Sequence, residues 1–343
     1  MQVLIKLLFT KEKKCAKIKK RLKGNYGLMK KLKTIFTVLF IFSLIGGLWY
    51  KNSNKNTFRT TEFLFDTTCT VTAYGSGAKD ATKEAFSLIE EFHALTNYFS
   101  DSSDVQRINS SKVGESIKIN KMTADIIKCA IEISEKTDGA FDITIAPLSD
   151  LWDFKAETPL IPDDENIKKA KEKVDYTALI LDYENCTITK KSDIKIDLGA
   201  AAKGYACDRA AEIFKEKGIS AIIDLGGNIV CTGKNPKTKN GLWRIGLQIP
   251  FGATGSFEKI VEIESGSVVT SGTYQRFFEK NGEKFHHIID PKTGYPKKTI
   301  YNATTVVSKS SLLADCLSTA CFILGEEDGK KLVQEYGAEI YYY

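Results

Sequence analysis

From residue 62 onward, the hydrophobic and polar positions alternate between two periods, as in a chain that mixes strands with helices. β-Branched or alternating runs predict strands at 63–74, 194–198, 220–225, 242–249, 259–263 and 268–271. Apolar residues at three- and four-residue spacing predict helices at 81–95, 123–136, 204–217, 310–324 and 328–336. The chain has more predicted strands than a simple alternation of strand and helix would give. We therefore expect an α+β fold with mixed or antiparallel sheets and packed helices.

The N-terminal 61 residues have a different pattern. Residues 34–50 contain no charge, and the preceding 1–33 carry twelve Lys or Arg and one Glu. A basic flank before an apolar run predicts an N-in signal anchor, with a cytoplasmic leader at 1–33 and a membrane segment at 34–50. Met29 begins a shorter leader of this kind, so we expect 1–28 to be an upstream extension. Residues 51–61 are polar and are interpreted as a linker to one exported domain, 62–343.

The charge distribution also excludes one class of function. The whole chain has a net charge of +6, but without the leader the remainder is acidic, at −5. A nucleic-acid-binding domain would carry its positive charge on the folded part, so no nucleic acid is expected. The eight cysteines form no CxxC pair and have no histidine at zinc spacing, and they are interpreted as buried thiols.

The segment 195–206 combines a short apolar run, Asp197, a Gly/Ala loop and a helix start. Such a loop brings main-chain N–H groups and a helix N-terminus close to a phosphate. A second acidic–glycine loop follows the predicted strand at 220–225, with Asp224 before Gly226 and Gly227. Each loop taken alone is also compatible with a simple turn in which Asp accepts local N–H bonds.

Asp315 and Thr319 lie four positions apart on the apolar helix predicted at 310–324, so their oxygens face the same side. A buried carboxylate needs a cation or several donors, and Mg²⁺ binds a few protein oxygens together with phosphate and water. We therefore predict a metal-assisted pyrophosphate site. The alternative is that Asp315 only complements the start of a helix capped by Ser308 or Ser310.

His286 and His287 are adjacent, so on a strand they point to opposite sides and cannot bind one metal together. One of them facing the site could act as a general base, although a lone histidine more often has a structural role. No GxGxxG or GxxxxGK[ST] motif occurs, which gives no support to a Rossmann or P-loop nucleotide site.

Eight motifs in order make the chain resemble the ApbE family of FAD:protein FMN transferases, from about residue 65 to the end. They are Phe65-Asp-Thr, Ser103-Asp-Val-Gln-Arg-Ile-Asn, Gly139-Ala-Phe-Asp, Asp197-Leu-Gly-Ala-Ala-Ala-Lys-Gly, Asp224-Leu-Gly-Gly, Ser271-Gly-Thr-Tyr, His287-Ile-Ile-Asp-Pro and Ala314-Asp-Cys-Leu-Ser-Thr.

The resemblance implies that the domain transfers FMN from FAD to a Thr or Ser hydroxyl of a partner protein and releases AMP. It implies catalytic roles for His287 and Asp315, with Mg²⁺ held by the Ala200 carbonyl and the side chains of Asp315 and Thr319. The implied flavin-nucleotide contacts are Phe65, Tyr98, Ala140, Phe141, Asp142, Asp197, Lys203 and Ile288.

The implied acceptor is a membrane redox pump subunit or an extracellular electron carrier, and the implied location is the cell membrane, with the catalytic domain on the extracytoplasmic side. Two alternatives remain open from the sequence. One is an FAD pyrophosphatase that uses water as the acceptor and gives FMN and AMP. The other is a non-catalytic, membrane-bound FAD-binding protein.

Overall fold

The computed structural model describes residues 37–44, 57–253 and 255–343, and residues 37–44 are helical (α1). The chain divides into two units, 1–56 and 57–343. The predicted leader 1–33, most of the predicted membrane segment and residues 51–56 of the predicted linker lie outside the described residues. Within the described ranges, no helix has the length and apolar character needed to cross a bilayer.

The main sheet has seven strands in the order β1-β2-β6-β7-β10-β13-β14, and every neighbouring pair is antiparallel. Their bounds are Thr57–Leu64, Thr67–Tyr74, Ser220–Leu225, Asn228–Thr232, Gly266–Gly272, Ala303–Ser308 and Glu339–Tyr342. The register places the β1–β2 turn, the β6–β7 turn, the end of β10 and the start of β13 at one end of the sheet. We call this the turn end.

Three smaller sheets surround the main one. They are β3 (Ser116–Lys118) with β5 (Thr187–Lys190) and β4 (Leu179–Asp182), β8 (Trp243–Gln248) with β9 (Phe257–Ile263), and β11 (Phe277–Lys280) with β12 (Glu283–His286). The β8–β9 ribbon packs on one face of the main sheet through an apolar cluster, which consists of Cys231, Trp243, Ile245, Leu247, Val261 and Val268.

Helices α2, α7, α8 and α9 pack on the main sheet, and α7 and α8 cover the face opposite the ribbon. The bounds of the helices are α2 (Ala78–Thr96), α3 (Asp104–Ser110), α4 (Lys121–Lys136), α5 (Ala146–Trp152), α6 (Asp164–Lys171), α7 (Ala202–Glu216), α8 (Ser311–Leu324) and α9 (Glu326–Glu335). The small residues of α7, including Gly204, Ala206 and Ala210, are buried and allow α7 to pack closely between α2 and α8. As predicted, α8 is almost wholly buried. Ser310 caps its N-terminus, as the alternative interpretation of Asp315 expected.

The α+β prediction is confirmed, but two predicted strands are wrong. The run at 63–74 is a hairpin in which Phe65 and Asp66, with φ values of 53° and 56°, form the turn between β1 and β2. β1 begins at Thr57, so the domain boundary expected at residue 62 falls inside this strand. Residues 194–198 form a single bridge, between Lys195 and Ile145, instead of a strand.

Candidate active site

Helices α7 and α8 meet at their first turns, where Gly204 lies against α8. A Cβ on Gly204 would lie only 2.4 Å from the carbonyl oxygen of Ser311 and 2.8 Å from the Cβ of Asp315. The Gly204 N–H donates a hydrogen bond of 2.9 Å to Oδ2 of Asp315, whose residue is 4% exposed. A residue without a side chain is therefore required where α7 approaches this carboxylate.

This hydrogen bond satisfies an N–H group at the start of α7. Gly204 is the third residue of that helix, and the first N–H groups of a helix have no acceptor within it. Asp315 accepts this one, and the Ala200 carbonyl, in the turn before the helix, has no hydrogen bond within the described residues. The two preceding carbonyls are occupied, by main-chain N–H groups and by the Lys203 ammonium. The turn thus leaves one oxygen, that of Ala200, available to a ligand.

Thr319 lies one helical turn after Asp315 on the same face of α8. Its hydroxyl is 3.0 Å from the Oγ of Ser271, near the end of β10, and Ser271 is also 2.8 Å from the hydroxyl of Ser318. The second oxygen of the Asp315 carboxylate, Oδ1, accepts no hydrogen bond from the described part of the chain. Strand β10 and helix α8 therefore position two of the three predicted metal ligands at the turn end of the sheet.

The donor set at this position is a carboxylate oxygen, a hydroxyl and a main-chain carbonyl. Hard cations such as Mg²⁺ prefer oxygen ligands of this kind and complete their shell with phosphate and water. Over the described ranges, no group of three or more His, Cys, Asp or Glu side chains could hold a metal ion. The Ala200 carbonyl with the side chains of Asp315 and Thr319 is a donor set of the type that Mg²⁺ accepts when a substrate supplies further oxygens.

His287 follows β12 and is held by Arg276. Its N–H donates to the Arg276 carbonyl at 3.1 Å, and its Nδ1 lies 3.3 Å from the same oxygen. Burial and, secondarily, the charge of Arg276 lower the pKa of His287 to about 3. With Nδ1–H donating to the carbonyl, Nε2 carries a free lone pair, so a neutral imidazole presents its basic nitrogen.

His286 has a structural role. Its Nε2 lies 2.9 Å from the Lys297 carbonyl, its Nδ1 accepts from the N–H of Ile288, and its ring meets Phe322 edge to face. Burial lowers the pKa of His286. The two adjacent histidines therefore have separate partners.

The β1–β2 turn contributes Phe65 to this region. The Phe65 N–H donates to Nδ1 of His93 at 3.3 Å, and the two rings pack edge to face. Asp66, the other turn residue, forms an ion pair with Lys155 and lies 3.8 Å from Arg276. The hydrogen bond from Lys155 lowers the pKa of Asp66. The turn is thereby tied to the same arginine that holds His287.

Three predicted nucleotide contacts are half-buried side chains. The Tyr98 hydroxyl donates to Asp150 at 2.7 Å, and burial together with this bond raises the pKa of Tyr98. Asp197 accepts from the Gly199 N–H at 2.7 Å, so the simple-turn interpretation describes its local geometry. Lys203 donates to the Gly199 carbonyl at 3.0 Å and keeps its remaining N–H groups for a ligand.

The side chains of the segment from Ala140 to Asp142 pack or form hydrogen bonds inside the fold. Phe141 is 2% exposed in the main core, and Ala140 packs in a small cluster with Ile288. Asp142 accepts from the N–H and hydroxyl of Thr144 and from a main-chain N–H, and its burial raises its pKa. A contribution of this segment to a nucleotide site would therefore come from its main chain.

A family model described as the ApbE family matches residues 65–342. The chain belongs to the ApbE family. It is 34% identical over 246 residues to an FAD:protein FMN transferase of Klebsiella pneumoniae, covering 71% of this chain and 75% of that one. Another FAD:protein FMN transferase, from Treponema pallidum, is 28% identical over 292 residues, with coverage of 80% and 81%.

ApbE structures have the same fold. The ApbE protein of Thermotoga maritima superposes with a TM-score of 0.77 at 29% identity, covering 84% of this chain and 94% of that one. The flavinyl transferase ApbE of Pseudomonas stutzeri gives a TM-score of 0.73 at 30% identity, with coverage of 84% and 90%. The sequence-based identification of the family and its fold is thereby confirmed.

Two residues that organise this ApbE site were not singled out from the sequence as functional. Asp208 of α7 caps α8, accepting from the Ser310 hydroxyl and from the first two N–H groups of that helix at 2.7 and 3.0 Å. Asn109 pairs its side-chain amide with both main-chain groups of Ile196, at 2.7 and 2.9 Å. Asn109 is the last residue of one of the family motifs, and its place in that motif could have identified it. In the sequence, Asp208 resembles an ordinary polar helix residue.

Proposed function

We propose that this chain transfers FMN from FAD to a protein, in common with the named activity of its ApbE relatives. The observation that carries the proposal is the contact between α7 and α8, where the Gly204 N–H fixes the buried Asp315 carboxylate and the Ala200 carbonyl, one turn earlier, has no hydrogen bond within the described residues. With Thr319, these oxygens would form a site for a cation that binds the diphosphate bridge of FAD.

Mg²⁺ is the cation that we propose, held by Ala200, Asp315 and Thr319. When bound it would neutralise charge on the diphosphate and make AMP a better leaving group. The N-terminus of α7 lies at the same place, and among the N–H groups of its first turn the one of Lys203 has no acceptor within the described residues and would be available to an anionic ligand. The ammonium of Lys203, in the first turn of that helix, would add a point charge beside the phosphates.

His287 is proposed as the general base. Its neutral ring, with Nδ1–H bound to the Arg276 carbonyl, presents Nε2 to the acceptor hydroxyl of a Thr or Ser. The hydroxyl oxygen bonds to the phosphorus of the FMN half as the phosphorus–oxygen bond to AMP breaks. AMP leaves with that electron pair, and the hydroxyl proton moves to Nε2 of His287.

The flavin half would lie among Phe65, Tyr98 and the main chain of residues 140–142. Tyr98 is held by Asp150 and Phe65 by His93, so both rings are fixed before a ligand binds. Preorganised aromatic groups lower the entropic cost of binding a flat ring. Asp197 and Ile288 are proposed as further contacts around the nucleotide.

We also propose that the domain acts outside the cytoplasm, held at the membrane by residues 34–50. The basic leader and the uncharged run support this orientation. An acceptor in that location would be a subunit of a membrane redox pump or an extracellular electron carrier.

The transfer is tested by incubating residues 57–343 with FAD, Mg²⁺ and a protein that the Vibrio cholerae FAD:protein FMN transferase flavinylates. We expect covalent flavin fluorescence on the denatured acceptor, a mass increase of one FMN residue, and one AMP per label. AMP without a labelled protein would support hydrolysis instead. Tight FAD binding without AMP would support a non-catalytic binding protein.

A further inference from the structure

The motif at 103–109 lies outside the candidate active site, yet its last side chain reaches the segment that leads to it. Asn109 is 8% exposed. Its amide nitrogen donates to the Ile196 carbonyl at 2.9 Å, and its amide oxygen accepts from the N–H of the same residue at 2.7 Å. An asparagine side chain offers donors and an acceptor, which match the two main-chain groups of one residue. Asn109 therefore holds Ile196 as a neighbouring strand would.

The other edge of the same segment is held by main chain. The Asp197 N–H donates to the Ile143 carbonyl at 2.8 Å, and Lys195 pairs with Ile145 in a parallel bridge. Successive residues of an extended chain direct their main-chain groups to alternate sides, so residues 195 and 197 bond to one neighbour and residue 196 to the other. Asn109 thus supplies one of the two edges that fix the segment.

A closed turn connects this segment to the carbonyl of Ala200. The Leu198 carbonyl accepts from the N–H groups of Ala201 and Ala202 at 3.0 and 2.8 Å, and the Leu198 side chain is buried. Ala200 lies inside this turn. Because the turn is closed on Leu198, a displacement of residues 196–198 would be transmitted to the Ala200 carbonyl.

The other two proposed cation ligands are held by different contacts. Asp315 accepts from the Gly204 N–H, and the Thr319 hydroxyl lies 3.0 Å from that of Ser271. Neither contact involves Asn109. Loss of the Asn109 amide would therefore displace one ligand, the Ala200 carbonyl, relative to the two ligands on α8.

Asn109 is itself held in one position. The ammonium of Lys190, a residue that is 2% exposed, donates to the Asn109 carbonyl at 2.9 Å. Asp104, at the start of α3, accepts from the N–H of Asn120 and from the hydroxyl of Thr123, both at 2.7 Å. Hydrogen bonds to charged groups are stronger than those between neutral groups, and these bonds tie α3 to β5 and α4. Helix α3 therefore presents Asn109 to Ile196 with little freedom.

We propose that Asn109 is a positioning residue for the cation site, which acts through Ile196 and the turn at 197–200 on the carbonyl of Ala200. The inference rests on the proposed function, in which that carbonyl is a ligand of Mg²⁺. Residues that orient metal ligands through hydrogen bonds typically change metal affinity or activity about 10- to 100-fold when they are substituted. Loss of the Asn109 amide should weaken cation binding beyond any effect of lost stability.

The test compares Asn109→Ala with Ile245→Ala. Ile245 is buried in the apolar cluster beneath the β8–β9 ribbon, on the face of the main sheet opposite α7 and α8, so its truncation lowers stability away from the segment. One measurement is the Mg²⁺ concentration that gives half-maximal AMP release during labelling of the acceptor protein. The other is the Kd for Mn²⁺, by electron paramagnetic resonance, in the presence of FAD and without acceptor.

We expect Asn109→Ala to raise both values at least about tenfold, and Ile245→Ala to stay within about twofold of wild type in both. Asn109→Asp is the second variant, in case Asn109→Ala does not fold. It keeps the size of the side chain and the acceptor for the Ile196 N–H, but it places an oxygen against the Ile196 carbonyl. Both values should rise in this variant as well.

Wild-type values for Mg²⁺ and Mn²⁺ in a folded Asn109 variant would overturn the inference and leave the proposed function standing. Equal increases in Ile245→Ala would also overturn the inference, because they would follow from lost stability alone. A wild type that neither labels the acceptor nor releases AMP would overturn the proposed function, and the inference with it.

Discussion

Gly204→Ala tests whether the close approach of α7 and α8 positions the candidate cation site. The added Cβ would lie 2.4 Å from the Ser311 carbonyl oxygen and 2.8 Å from both the Cβ of Asp315 and the Cα of Leu312. These atoms belong to the main chain or adjoin it, so no flexible side chain can give way. Overpacking of this kind costs about 1–3 kcal/mol, and alanine recovers about 1 kcal/mol through its higher helix propensity.

We therefore expect the variant to lose up to about 2 kcal/mol of stability, which corresponds to a Tm lower by up to about 3 °C for a domain of this size. The effect on activity should be larger. Relieving a 2.4 Å contact requires α7 to move by about 1 Å, and a misplacement of that size in a catalytic site costs about 100-fold in rate. The Gly204 N–H would no longer reach Asp315 in its present geometry.

Differential scanning calorimetry and the Mg²⁺ dependence of AMP release measure these two effects separately. Gly199→Ala is the control for stability, since its Cβ would contact only the Asp197 side chain, at 3.1 Å from the nearest oxygen. We expect the Tm of this control to stay within about 1 °C of wild type. Wild-type Tm together with a wild-type Mg²⁺ requirement in Gly204→Ala would refute the argument that this spacing controls the site.

Four further predictions concern three single side chains. Asp315→Asn should keep the hydrogen bond from α7 yet lose Mg²⁺-dependent AMP release at least about 100-fold, and retained activity would remove Asp315 from the cation site. His287→Ala should bind FAD with wild-type affinity and lose transfer about 100-fold or more, as measured by acceptor fluorescence. Because the folded protein protonates His287 only near pH 3, the acid limb of kcat/KM for the wild type should lie below pH 5, and an inflection at pH 6.5 would contradict this. Asp208→Ala should lower stability by about 2 kcal/mol, measured by urea unfolding, because the N–H groups of Ser311 and Leu312 lose their acceptor and only the Ser310 hydroxyl still caps α8.

The predictable part of the site is the part set by local periodicity. Asp315 and Thr319 share a face because a helix repeats every 3.6 residues, and this follows from spacing alone. The role of Gly204 does not follow from spacing, because its neighbour Asp315 is 111 residues away in the sequence and only the packed helices bring the two together. The role of Asp208 is equally hard to predict, since Asp208 belongs to α7 and the sequence of α8 does not show that a residue of another helix accepts its first N–H groups.

The two wrong strands have a common physical cause: β propensity describes an extended backbone but does not specify its partner. Residues 194–198 are extended, yet the N–H and carbonyl of Ile196 pair with the side-chain amide of Asn109, which takes the place of a neighbouring strand. At 63–74 the β-branched and aromatic pattern continues through a two-residue turn. Tight hairpin turns normally carry Gly or Asn, and Phe65 gave no such signal.

That turn also connects backbone strain to the proposed chemistry. Phe65 has a φ of 53°, a conformation that costs a bulky residue about 1 kcal/mol or more, so the surroundings must hold it. His93 accepts the Phe65 N–H, and the ion pairs of Asp66 reach Lys155 and Arg276. Since the Arg276 carbonyl also orients His287, one arginine links the hairpin turn proposed to contact the flavin with the base proposed to act on the acceptor. A glycine-containing turn would be less strained, but it would present no aromatic ring at this position.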